Sequence, residues 1–375
     1  MPNPKIVLAP DSFKDSISSI EICNILENLI DKEFPDYVVE SIPVSDGGEG
    51  FLEALAENLD LEIITKSVMG PAKNEIKASY GINNNTAYLE MAQSSGLQHL
   101  SQEERDPLHT TTYGLGQLIK DALKRNIQDF VIGIGGSATC DGGSGMAQAL
   151  GVKFYNKQGE IIKEPMTGQL LNSCYDLNYD QLLDRIDSCS FKVASDVTNP
   201  LLGSNGAVYV YAPQKGAKEQ DLEILEEGMQ NLNRLFQDKI GKDVQNIPGA
   251  GAAGGLGAGL IAFLGAEIKS GSKFILDILD FENRIKNSQA LITGEGQIDE
   301  QTDSGKIISV LITIGRRYNC PVYAICGIRK TEKVSGIKKI LALTKFADKK
   351  ETLQNPVPYI ELAGRELLQE IVKIS

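Results

Sequence analysis

The sequence predicts an α/β protein of two domains. One is a doubly wound parallel-sheet domain built from both termini, and the other is a mixed α/β domain inserted between them. Three observations carry this expectation. Strand-like apolar runs alternate with helical patterns at both ends of the chain, as βαβ units require. The central runs are short and partly alternating, which suits antiparallel pairing. A length of 375 residues with 42% hydrophobic content fits two or three ordinary globular domains. The parallel domain is expected at 1–65 and 280–375, Rossmann- or flavodoxin-like in pattern, and the inserted domain at 66–279.

Lys5-Ile-Val-Leu-Ala9 reads as a buried strand, and Ser18-Ser-Ile-Glu21 is a capping box opening a helix with Ile22, Ile25, Leu26, Leu29 and Ile30 on one face. A second strand, Val38 to Val44, runs into Asp46-Gly-Gly-Glu-Gly50, and Phe51 to Leu59 follows as a helix. The runs 62–68, 76–80 and 86–91 read as strands, the last two joined by a turn at Asn83-Asn-Asn85. Thr110-Thr-Thr-Tyr-Gly114 starts a helix carrying Leu115, Leu118, Ile119, Ala122 and Leu123, and Phe130 to Ile134 is a buried strand. Strand runs are expected at 191–194 and 207–211, and a helix carries Leu222, Leu225, Met229, Leu232 and Phe236. The βαβ pattern returns with Ala290-Leu-Ile-Thr293, a helix through Ile307 to Ile314, strands at 321–326 and 340–343, and a last helix from about Pro358.

Four aspartates stand at strand ends before a turn or glycine-rich loop: Asp11, Asp46, Asp141 and Asp196. In open α/β sheets ligands gather beyond the carboxyl ends of strands, where free amides meet phosphate and carboxylates hold a cation. The pattern points to phosphate and Mg²⁺ chemistry, hence to an enzyme. A formal net charge of −13 offers no field for nucleic acid or an anionic membrane. The six cysteines are scattered with no C-x-x-C pair, and residues 1–20 lack the features of a secretory signal, so a reducing cytoplasm is expected. The uncharged stretch 247–266 contains Pro248 and seven glycines, too little apolar content for a membrane helix.

The loop Gly133-Ile-Gly-Gly-Ser-Ala-Thr-Cys-Asp-Gly-Gly143 has five glycines in eleven residues between a strand and a helix. Either its amides and the hydroxyls of Ser137 and Thr139 cradle phosphate, or it is a tight turn needing positive φ; the glycine count favours phosphate. Gly249-Ala-Gly-Ala-Ala-Gly254 matches a dinucleotide fingerprint by letter without a preceding strand, leaving close helix packing and a ligand-facing loop both open. Glu295 and Asp299 fall in a glycine-bounded loop after a strand, suited to Mg²⁺ or a ribose, with Ser304-Gly-Lys306 nearby. No P-loop or protein-kinase motif set is present, which excludes those mechanisms. His99 and His109 are the only histidines and are expected to be structural. Lys14 and Arg105 are the cations expected near an anionic substrate.

The segments Ala9-Pro-Asp-Ser-Phe-Lys14, Pro43 to Gly50, Ser95-Gly-Leu97, Thr110 to Gly114, Gly133 to Thr139 with Asp141-Gly-Gly143, Asp196 to Leu201, Pro213-Gln-Lys-Gly-Ala217, Gly249 to Gly257 and Thr293-Gly-Glu-Gly296 closely resemble, in order, the bacterial glycerate kinase type 1 family. Asp15, Cys140, Gln297 and Ile308 depart from its usual pattern. The resemblance implies ATP-dependent phosphorylation of D-glycerate to 2-phosphoglycerate and an active site in a cleft between two α/β domains.

On that footing Asp196 is expected to take the hydroxyl proton, with Lys14 as its catalytic partner, and Ser12, Asp46 and Arg105 to bind substrate. Gly135, Gly136, Ser137, Thr139, Asp141, Gly142, Gly143, Gly294 and Gly296 are expected around the nucleotide phosphates. Mg²⁺ is expected at Asp46, Glu295 and Asp299, with ATP as the other small-molecule partner and homodimer formation left open. The rival expectations are 3-hydroxyl phosphorylation, a Mg²⁺-dependent phosphatase or other hydrolase, and a non-catalytic sugar-acid sensor.

Overall fold

The computed structural model describes residues 3–14, 16–186, 188–299, 307–331 and 333–374. The chain forms two compact units, one of 1–46, 53–60 and 272–375, the other of 47–52 and 61–271. It therefore passes from the first unit to the second directly after Asp46.

The first unit holds a five-stranded, wholly parallel sheet in the order Ile337–Ala342, Val322–Arg329, Ser288–Ile298, Lys5–Pro10, Val38–Ser41. A parallel sheet is covered on both faces, so its central strands are continuously apolar; Ile6 to Ala9 have no exposed surface at all. The capping box is present at the start of helix Ser19–Glu33: Ser18 Oγ accepts the Glu21 amide at 3.2 Å, and the Glu21 carboxylate accepts the Ser18 amide at 3.1 Å. Ile22, Leu26, Leu29 and Ile30 of this helix are buried in a core shared with the C-terminal helix Val357–Ile374.

The second unit carries a six-stranded mixed sheet in the order Glu267–Lys269, Ser190–Ala194, Asp129–Gly133, Thr86–Glu90, Glu75–Asn83, Glu62–Met69. The first four strands are parallel and the last three run antiparallel to their neighbours in sequence. Asn84, at φ 52°, makes the turn expected at 83–85. A small antiparallel pair, Lys153–Tyr155 with Asp176–Asn178, lies outside this sheet. Among the described residues no helix is long and apolar enough to cross a membrane, and all six cysteines are free.

Two local expectations are corrected. Residues 207–211 form a helix, Ala207–Tyr211, rather than a strand. Their β-branched and aromatic side chains favour a strand in isolation, but the segment packs on helix Ala252–Leu264, and tertiary context overrides so weak a preference. Glu295 lies within a strand, not in a loop, because strand Ser288–Ile298 stays paired with its neighbour as far as Ile298 opposite Arg329. The Gly249–Gly257 stretch enters a helix, with Ala253, Gly254 and Gly255 left-handed in its first turns, and most of it is buried. Ser304-Gly-Lys306 lies outside the described residues.

Arg284 ties the first unit's edge together. Its guanidinium donates to Glu40 at 2.6 Å and to Asn58 Oδ1 at 2.6 Å, while its carbonyl accepts from Lys5 Nζ, which also pairs with Glu40 at 3.0 Å. Charge-assisted hydrogen bonds contribute about 1.5–3 kcal/mol each when only partly exposed to solvent. Replacement of Arg284 by Met is expected to lower stability by about 2 kcal/mol in urea denaturation, with the secondary structure unchanged by circular dichroism.

Candidate active site

In the first unit the strand ends bring carboxylates together. Asp11 follows strand Lys5–Pro10, and its amide bonds to Gly294 O at 2.8 Å, so it sits beside the neighbouring strand that carries Glu295. Burial holds the Asp11 carboxyl well above the usual range, and repulsion from Asp46 and Glu295 pushes it further in that direction. The Ser12 amide donates to Asp11 Oδ1 at 2.7 Å and opposes the shift. Asp46 and Glu295 are thus close enough for their charges to act on Asp11. Lys14 is exposed in the following turn, and its amide nitrogen would lie 3.5 Å from a Cβ built on Gly296. Asp299 accepts from Gln297 Nε2 at 2.8 Å. Among the described residues no three His, Cys, Asp or Glu side chains form a closed metal cage.

Gly294 and Gly296, expected in a phosphate loop, are strand residues. A Cβ on Gly294 would lie 2.3 Å from Ile325 O of the adjacent strand, and one on Gly327 would lie 2.7 Å from Gly296 O. Close backbone packing explains glycine at 294 and 327, whereas a Cβ at Gly296 would meet nothing closer than 3.5 Å.

The glycine-rich loop 133–143 belongs to the second unit, and the chain from Gly47 to Gly48 packs into its base. The Gly135 amide donates to Gly47 O at 3.1 Å, and a Cβ on Gly135 would lie 2.4 Å from Gly48 Cα. The loop's middle is bound to Ser95-Gly-Leu97 by two backbone bonds of 2.9 Å, Leu97 N to Gly136 O and Ala138 N to Ser95 O. Gly136 and Gly142 have φ of 71° and 60°, a region that L side chains avoid.

Asp141 was expected among the phosphate contacts, but it faces inward and has no exposed surface. One carboxylate oxygen accepts Thr112 N at 2.7 Å, Thr112 Oγ1 at 2.8 Å and Gly145 N at 3.2 Å, and the other accepts Gly143 N at 3.1 Å. The amides at the start of helix Ser144–Leu150 are therefore satisfied by the chain's own carboxylate. Burial pushes the Asp141 carboxyl up, while these donors pull it down. Asp141 anchors the loop, and the Gly142-Gly143 end is closed to an external anion. Earlier in the loop, Gly135 and Gly136 keep partial exposure, while Ser137 to Thr139 are buried.

The sequence reading assigned no role to Lys215, which is 1% exposed. Its ammonium donates to Ser137 Oγ at 2.6 Å and Thr139 O at 2.7 Å, so it reaches into the back of the loop. Its sequence signal is its place in Pro213-Gln-Lys-Gly-Ala217, one of the segments that carry the family resemblance, and it ends a short 3₁₀ turn. Thr139 Oγ1 and Arg105 Nε are buried without a partner in the same unit. His99 Nε2 meets the Ala92 and Gln93 carbonyl oxygens at 3.1 and 2.9 Å.

Asp196 stands just beyond strand Ser190–Ala194 and accepts from Ser270 Oγ at 2.9 Å. The turn after it is held by Tyr211 OH to Asn199 Oδ1 at 2.8 Å and Asn199 Nδ2 to Asn205 O at 2.8 Å. The Gly249–Gly257 segment braces both loops. Its Gly251 amide bonds to Asn199 O at 3.0 Å, and its Gly254 O accepts the Gly142 amide at 3.2 Å. Cβ atoms on Gly251 and Gly254 would lie 2.1 Å from Pro200 O and 1.9 Å from Thr139 O. Of the two readings of this segment, close packing is the one the backbone adopts.

The profile of the family described as "Glycerate kinase family" matches residues 6–372. The chain is 43% identical to the Escherichia coli K12 protein named "Glycerate 2-kinase" over 325 residues, 86% of this chain and 85% of that one. It is 35% identical to the "Glycerate kinase" of Bacillus subtilis 168 over 374 residues, 98% of this chain and 97% of the relative. The crystal structure of a glycerate kinase 2 candidate from Salmonella typhimurium LT2 superposes with a TM-score of 0.84 at 36% identity, covering 99% of this chain and 98% of that one.

Two outcomes test this geometry. Gly254→Ala sets a Cβ against Thr139 O at a φ of 66°, and is expected to cost about 2–4 kcal/mol from left-handed strain plus overpacking. Urea denaturation measures it, and Gly265→Ala, at an equally left-handed φ but with nothing near its Cβ, isolates the strain alone. For the acidic cluster the sign follows from linkage: Asp11 binds its proton more tightly folded than unfolded, so the protein loses stability as pH rises through the folded value. Asp46→Asn removes one repelling charge and is expected to raise Tm at pH 8 by about 2–4 °C, with the gain vanishing near pH 4.

Proposed function

The chain belongs to the glycerate kinase family, and on that premise we propose that it transfers the γ-phosphoryl group of ATP to the 2-hydroxyl of D-glycerate, giving 2-phosphoglycerate and ADP. Kinase activity with glycerate and ATP is the family's activity; the regiochemistry draws support from the name of the Escherichia coli relative. The observation that carries the reading is the combination, in a chain matched from residue 6 to 372, of a carboxylate cluster in one unit with an amide-lined, lysine-backed loop in the other. Phosphoryl transfer asks for those two things: cation-holding acids and donors for phosphate oxygens.

In this reading Asp196 accepts the proton of the attacking hydroxyl. The glycerate oxygen forms a bond to the γ-phosphorus as the bond from that phosphorus to the β,γ-bridging oxygen breaks, and the electron pair leaves with ADP. Ser270 Oγ, donating to Asp196 Oδ1, directs the carboxylate's other oxygen toward substrate. Lys14 and Arg105 anchor the glycerate carboxylate or the phosphoryl group in transit, with Ser12 beside Asp11 as a further donor. Gly135 to Thr139 receive the nucleotide phosphates.

Mg²⁺ keeps most of its waters and takes one or two carboxylates, the substrate phosphates completing its shell. Asp46 and Glu295, whose charges both bear on Asp11 beside them, are the ligands of this reading. Asp299 is a further candidate ligand. When bound, the ion neutralises charge on the phosphates.

Incubation with ATP, Mg²⁺ and D-glycerate, followed by ³¹P NMR, is expected to show ADP and 2-phosphoglycerate; 3-phosphoglycerate would correct the regiochemistry, and release of phosphate without glycerate would indicate a hydrolase. Asp196→Asn is expected to lower kcat by about 10²-fold or more with little change in the ATP KM. An unaffected kcat would remove Asp196 from the mechanism.

A further inference from the structure

Lys215 combines two properties that rarely coexist. It is buried to 1% exposure, and its hydrogen bonds go to two neutral oxygens, Ser137 Oγ and Thr139 O. A buried ammonium without a paired anion is strongly unfavourable, so such groups are retained where a counter-charge arrives from elsewhere. Burial depresses its proton affinity, while Cys140 and Asp141 favour the charged form. Asp141 acts only at a distance, because its oxygens are filled by four donors from the loop and from Thr112.

A second cation adjoins it. Gly216, the next residue, passes so near Arg105 that an added Cβ would lie 2.1 Å from Arg105 O, at a φ of 99° that favours glycine. Arg105 has its Nε buried without an acceptor, and among the described residues neither it nor Lys215 makes an ion pair. Thr139 Oγ1 is buried and unpartnered too. Gly216 and Gly254 thus let two backbones close on Arg105 and Thr139, so that the segments carrying Lys215, Arg105 and the unpartnered Thr139 hydroxyl are held close to one another.

We propose that Lys215 and Arg105 together form an oxyanion site at the Gly135–Thr139 loop, whose counter-charge is a phosphate or carboxylate group of the bound substrates. This deepens the kinase reading and rests on it for the identity of the anion. Lys215 supplies charge from behind the loop, holding Ser137 and the Thr139 carbonyl in place. Arg105 supplies a planar donor from the adjoining segment.

The test titrates pyrophosphate and D-glycerate separately, by calorimetry, into the full-length wild type, Lys215→Met, Lys215→Arg and Arg105→Met, with kcat and KM from the same preparations and circular dichroism to confirm folding. Each Met variant is expected to bind one probe at least about 10-fold more weakly and to lose about 10²-fold or more in kcat/KM, with Lys215→Arg recovering part of both. Loss of pyrophosphate affinity identifies the polyphosphate as the anion, and loss of D-glycerate affinity identifies the carboxylate. A fall in kcat alone assigns the site to the phosphoryl group in transit if Lys215→Arg restores it, and overturns the proposal if it does not. Unchanged affinities with kcat/KM within about twofold of wild type also overturn it. If Lys215→Met does not fold, Arg105→Met, whose side chain is only partly buried, decides alone. Wild-type binding of pyrophosphate that depends on these cations, without turnover of glycerate, would leave the oxyanion site standing and remove the kinase reading.

Discussion

Backbone-to-backbone contact at glycine is the constraint on which the second unit's loops depend. Thr139 O, Pro200 O and Arg105 O each have a glycine against them with no room for a Cβ, at Gly254, Gly251 and Gly216. A loop rich in glycine is conformationally free unless something outside it limits its choices, because glycine loses more backbone entropy on folding than any other residue. Here the limit comes from other glycine-bearing segments packed at distances that only glycine permits, together with the buried Asp141 carboxylate that gathers three backbone amides and a hydroxyl. The result is an ordered arrangement of carbonyls and amides before any ligand arrives. Catalysis by positioning needs that, since donors that must first be ordered contribute less.

The two units carry opposite electrostatic imbalances. In the first, burial, with repulsion from Asp46 and Glu295 added to it, leaves Asp11 reluctant to ionise. In the second, Lys215 and Arg105 are cations without counter-ions, one of them buried. Neither arrangement favours folding, and each is the sort of local cost that persists where a ligand relieves it. The protein's overall charge of −13 makes the local cations more informative, because an anionic substrate is attracted by particular side chains and not by the molecule's general field.

Much of this was readable in the residues. Asp11, Asp46 and Asp196 follow runs whose apolar periodicity is unambiguous, so their places at strand ends could be named from the chain. The same is true of the capping box at Ser18 and Glu21, which depends only on local spacing. Burial direction was not readable. Asp141 has the same neighbours in sequence as a phosphate-facing aspartate, and only the fold turns it inward onto Thr112. Lys215 looks like any surface lysine until strand and helix close over it. Residues 207–211 and Glu295 were misread for a related reason: the first segment takes its helix from packing on 252–264, and the second stays in strand because a neighbouring strand continues beside it. In each case the deciding partner is remote in sequence, where propensity and periodicity carry no information.

The division of labour among the acids follows from these surroundings. A general base must hold a proton briefly and be free to face substrate, so a carboxylate saturated with four donors, as Asp141 is, makes a poor one. Asp11 is a poor one for the opposite reason, since burial, and beside it the charges of Asp46 and Glu295, already favour its protonated form and a proton once taken would be retained. Asp196 stands apart from that cluster, at a strand end, oriented by Ser270 Oγ and followed by a turn that Tyr211 and Asn205 hold through Asn199. Its place outside the Asp11 cluster, with Ser270 Oγ orienting its carboxylate, is what supports the proposal of Asp196 as the base.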